Sequence, residues 1–358
     1  MKLLRLTPAL KATSASYNQF SLGFKETIEQ TVCSLHKHHD VLIDEKINVF
    51  HGDGSIIKML MLLRKLVKRN HYNVIHIHNG LTGIIFILAL FPLRLGLLKR
   101  TIFTLHNSWN VLSLRNQILD FIVMLVSKRI CTCGISSLHS IPKFINFFIE
   151  RKTEAIVNGF DHKRIDKVES NKANKDQFYK SSKLKILCVG ALNNTKNQIA
   201  LLEVLNKMKI EAELIFLGDG INKNSLIEFS KDIQGAVEIT FKGLVSRDLT
   251  IEHMLEADVC ISLSKGEGLP IAVLESMYSG CFMILSTIPP HKEVSPPSGR
   301  CIFVDESDQD EIFNSLNFVV SNLEKIRTNR NESKEYSIKK FGVQNMLGAY
   351  KKVYDSFV

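Results

Sequence analysis

The chain has 358 residues, of which 45% are hydrophobic and 23% are charged, and its formal net charge is +10. This composition excludes a disordered or fibrous protein, and the length is comfortable for two globular domains. The basic excess is compatible with nucleic acid, an anionic membrane surface or an anionic substrate as partner.

Cysteine and histidine spacing gives little support for a metal site. The seven cysteines form no Cys-x-x-Cys pair and lie mostly in apolar runs, so we interpret them as buried thiols in a reducing compartment. His76 and His78 alternate on a predicted strand, but no cysteine or carboxylate completes a ligand spacing around them. The Asp308-Gln-Asp310 triplet opens a predicted helix, where it is typical of a charged first turn. We therefore expect no metal.

No stretch of the sequence is typical of a signal peptide or of a membrane span. Met1–Pro8 is too short an apolar segment for a signal peptide. The apolar run Leu81–Leu98 is interrupted by Pro92 and Arg94, which favours a buried helix, with an interfacial helix as the alternative. A helix predicted over Gly54–Asn70 has a basic side, which we interpret as solvated, with contact to anionic lipid as the alternative. The basic residues of this helix are Lys58, Arg64, Lys65, Lys68 and Arg69, and Arg94, Lys99 and Arg100 of the later apolar segment would add to such a contact.

The first half of the chain alternates predicted strands and helices. Strands are predicted over Lys2–Leu6, Tyr72–His78 and Thr101–Leu105, and a helix over Leu22–Leu35. His106 follows the third of these strands and precedes a polar Asn-Ser turn. Open parallel sheets bind ligands at such strand ends, so His106 is a candidate ligand contact, with a histidine satisfied by backbone as the alternative.

The second half begins after a polar stretch, Lys163–Lys183, which we predict to be the linker between two domains. The next strand ends in the turn Gly190–Gln198, and a later strand ends in Gly218-Asp-Gly220. Lys196 precedes a predicted helix, where a cation can neutralise a diphosphate beside the helix N-terminus. A solvated loop lysine is the alternative interpretation.

The strongest functional signal is the stretch Ser262–Gly280. A glycine-rich, charged turn follows a short buried strand, and a helix is predicted to open at Pro270. The backbone N–H groups of Ile271 and Ala272 would then point out of the helix end, which is a site that suits phosphate.

Glu267 and Glu275 bracket this phosphate site. A carboxylate beside a phosphate is unfavourable unless it has another partner, and sugar hydroxyls are natural partners for a carboxylate. A nucleotide-sugar carries both groups. The alternative is a buried strand–turn–helix unit with two exposed glutamates.

In these residues the sequence resembles the retaining GT-B glycosyltransferases of family four. Their signature is Ser-x-x-Glu-Gly-Leu-Pro-x-x-x-Leu-Glu-Ala-Met-Ala-x-Gly-x-Pro-Val. The matching residues are Ser264, Glu267–Pro270, Leu274–Met277 and Gly280. Ser276, Tyr278 and Phe282 depart from the signature at positions that look like packing positions, and Ala191 stands where the family has an arginine.

The resemblance implies an α/β fold of the GT-B type, with two Rossmann-like domains facing across a cleft. The acceptor-side domain would cover residues 1–165, with a C-terminal helix at about 340–358 packing back on it. Residues 166–339 would form the nucleotide-sugar-binding domain. The implied reaction is transfer of a hexose-type sugar from a nucleotide-diphosphate-sugar with retention of configuration and without a cofactor or metal.

The resemblance also implies roles for individual residues. Lys196 would stabilise the leaving phosphate, Glu267 would hold the donor sugar, and His106 would complete the sugar pocket from the other domain. Glu275 would hold the ribose hydroxyls. The implied substrate-binding residues are Glu275, Gly190, Gly268, Leu269, Pro270, Ile271, Ala272 and Gly218.

Basic charge and the family's habits suggest a saccharide or polyprenyl-linked acceptor in bacterial surface-polysaccharide synthesis. The expected location is cytoplasmic, with peripheral contact to the inner membrane as a further option. Two alternatives stay open: a GT-B nucleotide-sugar epimerase, and a catalytically impaired sugar-nucleotide-binding protein, for which Ala191 is the argument. A nucleic-acid binder is least supported, because no aromatic residues interleave with the basic clusters.

Overall fold

The structure is a computed structural model that describes residues 1–10, 16–38, 43–92, 94–171, 183–234, 236–295 and 299–358. The chain forms two compact α/β units. Unit 1 comprises Met1–Gly159 and Val343–Val358, and unit 2 comprises Phe160–Gly342. The division between them follows Gly159, a few residues before the expected boundary.

Each unit is built on a parallel β-sheet. The strands are β1 Lys2–Thr7, β2 Glu29–Ser34, β3 Ile47–His51, β4 Val74–Ile77, β5 Thr101–Leu105, β6 Arg129–Thr132, β7 Thr153–Ala155, β8 Leu184–Val189, β9 Ala212–Leu217, β10 Val237–Gly243, β11 Val259–Ser262, β12 Phe282–Ser286 and β13 Cys301–Val304. Their order is β3-β2-β1-β4-β5-β6-β7 in unit 1 and β10-β9-β8-β11-β12-β13 in unit 2.

Helices connect the strands, as parallel neighbours require a crossover. They are α1 Ile56–Arg69, α2 Gly80–Leu90, α3 Leu114–Val126, α4 Ile135–His139, α5 Lys143–Ile149, α6 His162–Asn171, α7 Gln198–Leu205, α8 Lys223–Lys231, α9 Arg247–Glu256, α10 Ile271–Tyr278, α11 Pro289–Glu293, α12 Gln309–Ser321, α13 Leu323–Thr328, α14 Lys334–Phe341 and α15 Val343–Asp355.

Alternate residues of the unit 1 strands fill two cores, one on each face of the sheet. Leu4 and Ile75 belong to the core that includes buried residues of α1, α2, α3 and α5. Their sequence neighbours Leu3 and Val74 belong to the second core, which includes α15. The unit 1 strands are therefore apolar on both sides, as is usual for a buried parallel sheet.

The helix predicted over Leu22–Leu35 is wrong: residues 22–28 form turns and a bend, and Glu29–Ser34 form β2. This strand pairs with β1 on one side and β3 on the other, and its residues after Glu29 are all buried. The β-branched Thr31 and Val32 suit such a position. Pairing on both sides is a tertiary effect that overrides the local helical pattern.

The predicted linker is also partly regular structure. Its first residues lie in α6, where Ile165 and Val168 are buried at helical spacing. Residues 172–182 lie outside the described part of the chain.

The apolar run Leu81–Leu98 forms the predicted buried helix only as far as Leu90, where α2 ends; Leu95–Arg100 form a separate 3-10 helix without buried residues. The Asn79 side chain caps α2 by accepting hydrogen bonds from the N–H groups of Leu81 and Thr82, and α2 ends before Pro92, which cannot continue it. Among the described residues, no helix combines the length and the apolarity that a membrane crossing requires.

The C-terminal helix α15 packs on the sheet of unit 1. Met346, Tyr350 and Tyr354 are buried there with Leu3 and Ile102. The separate helix α14 belongs to unit 2, so the chain passes from one unit to the other at Gly342.

Met346→Ala tests this packing. Met346 is 1% exposed, and truncating such a side chain costs about 2–5 kcal/mol through lost burial and a cavity. We expect this loss in the unfolding transition that reports unit 1, measured by urea titration. Lys352→Ala, on the exposed side of the same helix, is the control and should change stability by less than about 0.5 kcal/mol. Equal effects of the two variants would contradict the packing.

Candidate active site

The candidate site of unit 2 lies at the switch point of its sheet. β8 is followed in the chain by β9 and β10 on one side, whereas β11 pairs on its other side. The loops after β8 and β11 therefore leave the sheet in neighbouring positions and turn apart, which opens the crevice that α/β proteins use for ligands. The loop after β8 carries Gly190 and Lys196, and the loop after β11 carries Glu267.

Gly190 and Gly218, which end β8 and β9, approach each other closely. A Cβ on Gly218 would lie 2.0 Å from the carbonyl oxygen of Gly190, and the φ of Gly218 is +138°. Only glycine fits this geometry without strain. The two glycines let the β8 and β9 turns pack together, with Ala191 exposed on the first of them.

Lys196 and Glu267 form an ion pair that bridges the loops after β8 and β11. The Ser264 hydroxyl also donates to Glu267, over 2.7 Å. The loops are joined a second time by the backbone, since the Lys265 N–H donates to the Thr195 carbonyl over 2.8 Å. The structure thus brings together Lys196, which the resemblance assigns to the phosphate of the donor, and Glu267, which it assigns to the sugar.

The helix after this loop is α10, which begins at Ile271 with Pro270 as its N-cap. The N–H groups of Val273 and Leu274 donate to the Pro270 carbonyl, so those of Ile271 and Ala272 are the ones that helix geometry leaves for an outside acceptor. Gly268 and Leu269 are buried immediately before this turn. The arrangement is a helix start that suits an anion.

Glu275 lies one turn further along α10 and is paired with Arg247. The carboxylate residue is only 4% exposed, so a cationic partner offsets the cost of burying its charge. Arg247 is the first residue of α9, whose N-cap Ser246 accepts a hydrogen bond from the Leu249 N–H.

Sequence reasoning did not single out Arg247. A signal was present: Ser246 with Asp248 two residues later is typical of a helix start. The partner of Arg247, by contrast, could not be found from local sequence. The residues that depart from the family signature, Ser276, Tyr278 and Phe282, are all buried.

A network of small polar side chains supports the Glu267 loop. The Ser286 hydroxyl donates to the Ser264 carbonyl over 2.5 Å. Buried His291 lies 3.1 Å from the Ser286 carbonyl through Nδ1 and 3.3 Å from the Ser262 hydroxyl through Nε2. We assign the proton to Nδ1, since a carbonyl can only accept, which leaves Nε2 as an acceptor for Ser262. Burial lowers the pKa of His291 to about 4, so this support is neutral at pH 7.

His106, the candidate in unit 1, directly follows β5 and is linked to a buried cation. Its Nε2 lies 2.8 Å from His78 Nδ1, and His78 Nε2 lies 3.4 Å from the Arg5 guanidinium. Arg5 is 1% exposed. It also contacts Gln30 and Tyr354 over 3.0 and 3.2 Å.

This chain of contacts fixes the histidine tautomers, because a guanidinium can only donate. His78 accepts from Arg5 through Nε2, so its proton lies on Nδ1 and is donated to His106 Nε2. The proton of His106 must then lie on Nδ1, which becomes a hydrogen-bond donor. The His76–His78 pair, for which the sequence shows no complete metal-ligand spacing, thus lies in the same polar network as His106.

Burial keeps these histidines neutral. It lowers the pKa of His106 to about 4. The pKa of His76 and that of His78 lie well below the usual range, first because of burial and then because of nearby charges that include Arg5. A neutral His106 suits recognition of a hydroxyl rather than of a phosphate.

The remaining candidates are placed as follows. Within the described ranges, no group of three or more His, Cys, Asp or Glu side chains has a geometry that could hold a metal. The Asp308 side chain caps α12 by accepting from the N–H groups of Asp310 and Glu311.

Comparisons with known proteins find relatives among the glycosyltransferases. Residues 169–339 match the family described as glycosyl transferases group 1. The chain is 23% identical to the capsular polysaccharide biosynthesis glycosyltransferase CapH of Staphylococcus aureus, over 64% of each chain, which is just under two thirds of that relative. It is 24% identical to UDP-Gal:alpha-D-GlcNAc-diphosphoundecaprenol alpha-1,3-galactosyltransferase of Escherichia coli, over 73% of this chain and 69% of the relative.

A solved structure agrees as well. HepE from Anabaena, in complex with UDP, matches 99% of this chain and 100% of its own with a TM-score of 0.76 and 16% identity. A likeness at this identity shows the fold alone. The fold is that of the GT-B glycosyltransferases, with two Rossmann-like α/β domains, and the family match supports a glycosyltransferase of this group.

The Arg247–Glu275 pair yields a stability prediction. Arg247→Ala leaves a buried carboxylate without its partner, which costs about 3–5 kcal/mol. Adding Glu275→Ala should recover part of this loss, with a coupling energy of about 1–3 kcal/mol in a double-mutant cycle measured by urea unfolding. The control is Arg164→Ala: Arg164 pairs with Asp248, whose side chain is 58% exposed, so less than about 1 kcal/mol is expected. Additive single effects would show that the pair is not coupled.

His291 yields a pH prediction. Its folded-state pKa of about 4 lies below the ordinary value of 6.5, so the unfolded chain binds the proton first as the pH falls. The stability that neutral His291 contributes is complete above pH 6.5 and is lost as the pH falls toward 4. The free energy of unfolding of the wild type minus that of His291→Gln should therefore fall by about 2 kcal/mol between about pH 7 and about pH 5. A pH-independent difference would contradict the burial of a neutral imidazole.

Proposed function

We propose that this protein transfers a sugar from a nucleotide-diphosphate-sugar to an acceptor hydroxyl, with retention of configuration, during synthesis of a bacterial surface polysaccharide. The observation that supports this best is the convergence of Lys196, Glu267 and the first turn of α10 at the switch point of unit 2. A cation, a carboxylate and free helix N–H groups side by side match the mixed chemistry of a nucleotide-sugar.

The leaving diphosphate gains negative charge in the reaction, and preorganised positive groups lower the barrier by stabilising that charge. Lys196 and the N–H groups of Ile271 and Ala272 supply them. The Lys196 ammonium has three N–H donors, so it can contact Glu267 and a phosphate oxygen together. With these groups in place, the transfer needs neither a divalent metal nor a cofactor.

The carboxylates hold the two sugars of the donor. Glu267, oriented by Ser264 and Lys196, accepts from hydroxyls of the transferred sugar. Glu275 accepts from the ribose hydroxyls while Arg247 balances its charge. In unit 1, the neutral His106 offers its Nδ1–H as a donor for a sugar hydroxyl.

The acceptor is proposed from the relatives. The E. coli relative is named for a diphosphoundecaprenol-linked acceptor, and a saccharide carried by such a lipid is the acceptor we propose here. A lipid-linked acceptor implies work at an anionic membrane surface, with the protein peripheral to the cytoplasmic face of the inner membrane. Besides the nucleotide-sugar donor, the second partner that we propose is therefore this acceptor and not nucleic acid.

A panel of nucleoside diphosphates and nucleotide-sugars tests the proposal by thermal shift. Ligand at a hundredfold excess over Kd stabilises the folded state by about 2.7 kcal/mol, so one nucleotide class should raise the melting temperature clearly. Turnover is then measured with the donor that binds. Binding without turnover with any acceptor would identify a binding protein, and product formed without an acceptor would identify an epimerase.

Two variants assign the roles. Lys196→Ala should lower turnover by about two orders of magnitude, because one preorganised charge is lost. Glu275→Gln keeps a hydrogen-bonding group beside Arg247. It should therefore reduce the free energy of nucleotide binding more than it reduces the free energy of unfolding. Lys265→Ala, in the same loop with an exposed side chain, is the matched control. An unchanged rate in Lys196→Ala would show that the loop after β8 does not face the diphosphate.

A further inference from the structure

Large apolar side chains protrude from α3 and α5 of unit 1. The exposed fractions are 72% for Leu114, 52% for Ile118, 39% for Ile122, 69% for Phe144, 74% for Phe147 and 61% for Phe148. We call this surface the α3–α5 face. It is continuous across the two helices, since the rings of Phe121 and Phe148 lie 6.4 Å apart and those of Phe147 and Phe148 lie 5.4 Å apart.

The exposed apolar side chains are not needed to pack these helices on unit 1, because each helix has a separate buried side. Val123 and Met124 of α3 and Ile145 and Ile149 of α5 lie in the core of unit 1. The exposed residues recur at intervals of three and four, so they form a second apolar stripe on the outer side. Soluble monomers rarely keep a patch of this kind without a binding role.

Positive charge accompanies the apolar stripe. Arg115 and Lys143 are exposed in the first turns of α3 and α5, and in the described part of the chain neither has an ion-pair partner. The carboxylate of α3, Asp120, is 6% exposed and lies against Gly80 on the inner side. Lys128 and Arg151 are exposed beyond the C-terminal ends of α3 and α5, and Arg151 follows the exposed Glu150 in the sequence. Apolar side chains framed by basic ones complement an anionic lipid surface.

The basic residues near α1 and α2, which the sequence marks as another lipid candidate, are partly committed elsewhere. Arg64 donates to the Ala89 carbonyl over 3.3 Å. Arg94 donates to the Val67 carbonyl over 2.8 Å, and Arg100 to the Tyr72 carbonyl over 2.9 Å. These side chains bind backbone carbonyls of unit 1, which weakens that region as a docking surface.

A second copy of the chain fits the α3–α5 face less well than a bilayer. In a two-fold interface the same surface meets itself, so the basic residues of this face would be brought against a surface with the same positive charge. Like charges at a desolvated interface are unfavourable. A bilayer with anionic headgroups has the opposite charge and can take up the phenylalanine rings.

We propose that the α3–α5 face docks unit 1 on a bilayer that contains anionic lipid. The face is placed to present an acceptor: α3 follows β5, and α5 follows β6 and α4, so both helices belong to connections that leave the carboxyl edge of the sheet, where His106 follows β5. The inference deepens the proposed function and rests on it only for the nature of the acceptor. Docking itself is independent of turnover.

Vesicle sedimentation tests the docking. The full chain is mixed with vesicles of phosphatidylcholine alone, or of phosphatidylcholine with phosphatidylglycerol. Binding should favour the anionic vesicles and weaken as salt is added. The double variant Phe144→Ser with Phe147→Ser should bind them at least about tenfold more weakly, and Arg115→Glu with Lys143→Glu should show a loss of at least about tenfold.

Matched controls lie on α1. Ile57 and Met61 are 70% and 57% exposed, and the double variant Ile57→Ser with Met61→Ser should bind vesicles like the wild type. The double variant Lys65→Glu with Lys68→Glu changes the net charge as much as Arg115→Glu with Lys143→Glu does. It should therefore bind vesicles more strongly than that variant does. All variants are checked for an unchanged melting temperature.

Four outcomes would overturn the proposal: no vesicle binding by the wild type, no loss in the α5 variant, an equal loss in the α1 controls, or a wild-type dimer that the phenylalanine variant converts to monomer in light scattering. Nucleoside diphosphate binding, measured by calorimetry on the same variants, separates this inference from the proposed function. If nucleotide binding fails while vesicle binding follows the expected pattern, the donor assignment is wrong and the docking surface stands.

Discussion

The candidate site depends on how its two carboxylates are neutralised. Glu267 and Glu275 flank a helix start that favours anions, so each needs a cation to lie there without repelling a phosphate. Lys196 reaches Glu267 from the loop after β8, and Arg247 reaches Glu275 from the start of α9. These cations come from segments that are distant in sequence and neighbours only because parallel strands end at one edge of the sheet.

Unit 1 uses a related device with the opposite sign. Arg5 is buried in the middle of its sheet, and its charge is met by neutral acceptors and aromatic faces rather than by a described carboxylate partner. The cost of burying a cation in this way is high, and the network it organises ends at His106. The guanidinium can only donate, so it fixes the direction of the hydrogen bonds that run from Arg5 through His78 to His106. This explains why His106, at the end of its strand, is a neutral donor.

The basic residues on the surface of unit 1 are of two kinds: some bind backbone carbonyls of the unit, and others are exposed to solvent. Near α1 and α2, arginines satisfy backbone carbonyls that the helix ends would otherwise expose to solvent. Lys152 does the same for α3, donating to the carbonyls of Met124 and Leu125 over 2.8 and 2.7 Å. On the α3–α5 face, Arg115 and Lys143 are instead exposed in the first turns of the helices that carry the exposed apolar side chains. Composition alone cannot make this distinction, because it counts all of these side chains equally.

What the sequence determined by itself was local. Helix starts, glycine turns and buried strands follow from residues within a few positions of each other, so the Ser262–Gly280 stretch, the Gly190 and Gly218 turns and the two α/β halves could be predicted. The strand β2, the Arg247–Glu275 pair, the Arg5–His78–His106 network and the α3–α5 face were decided by the tertiary structure. Each depends on which segments the sheet order brings side by side, and a contact between residues far apart in the chain leaves no local pattern from which it could be predicted.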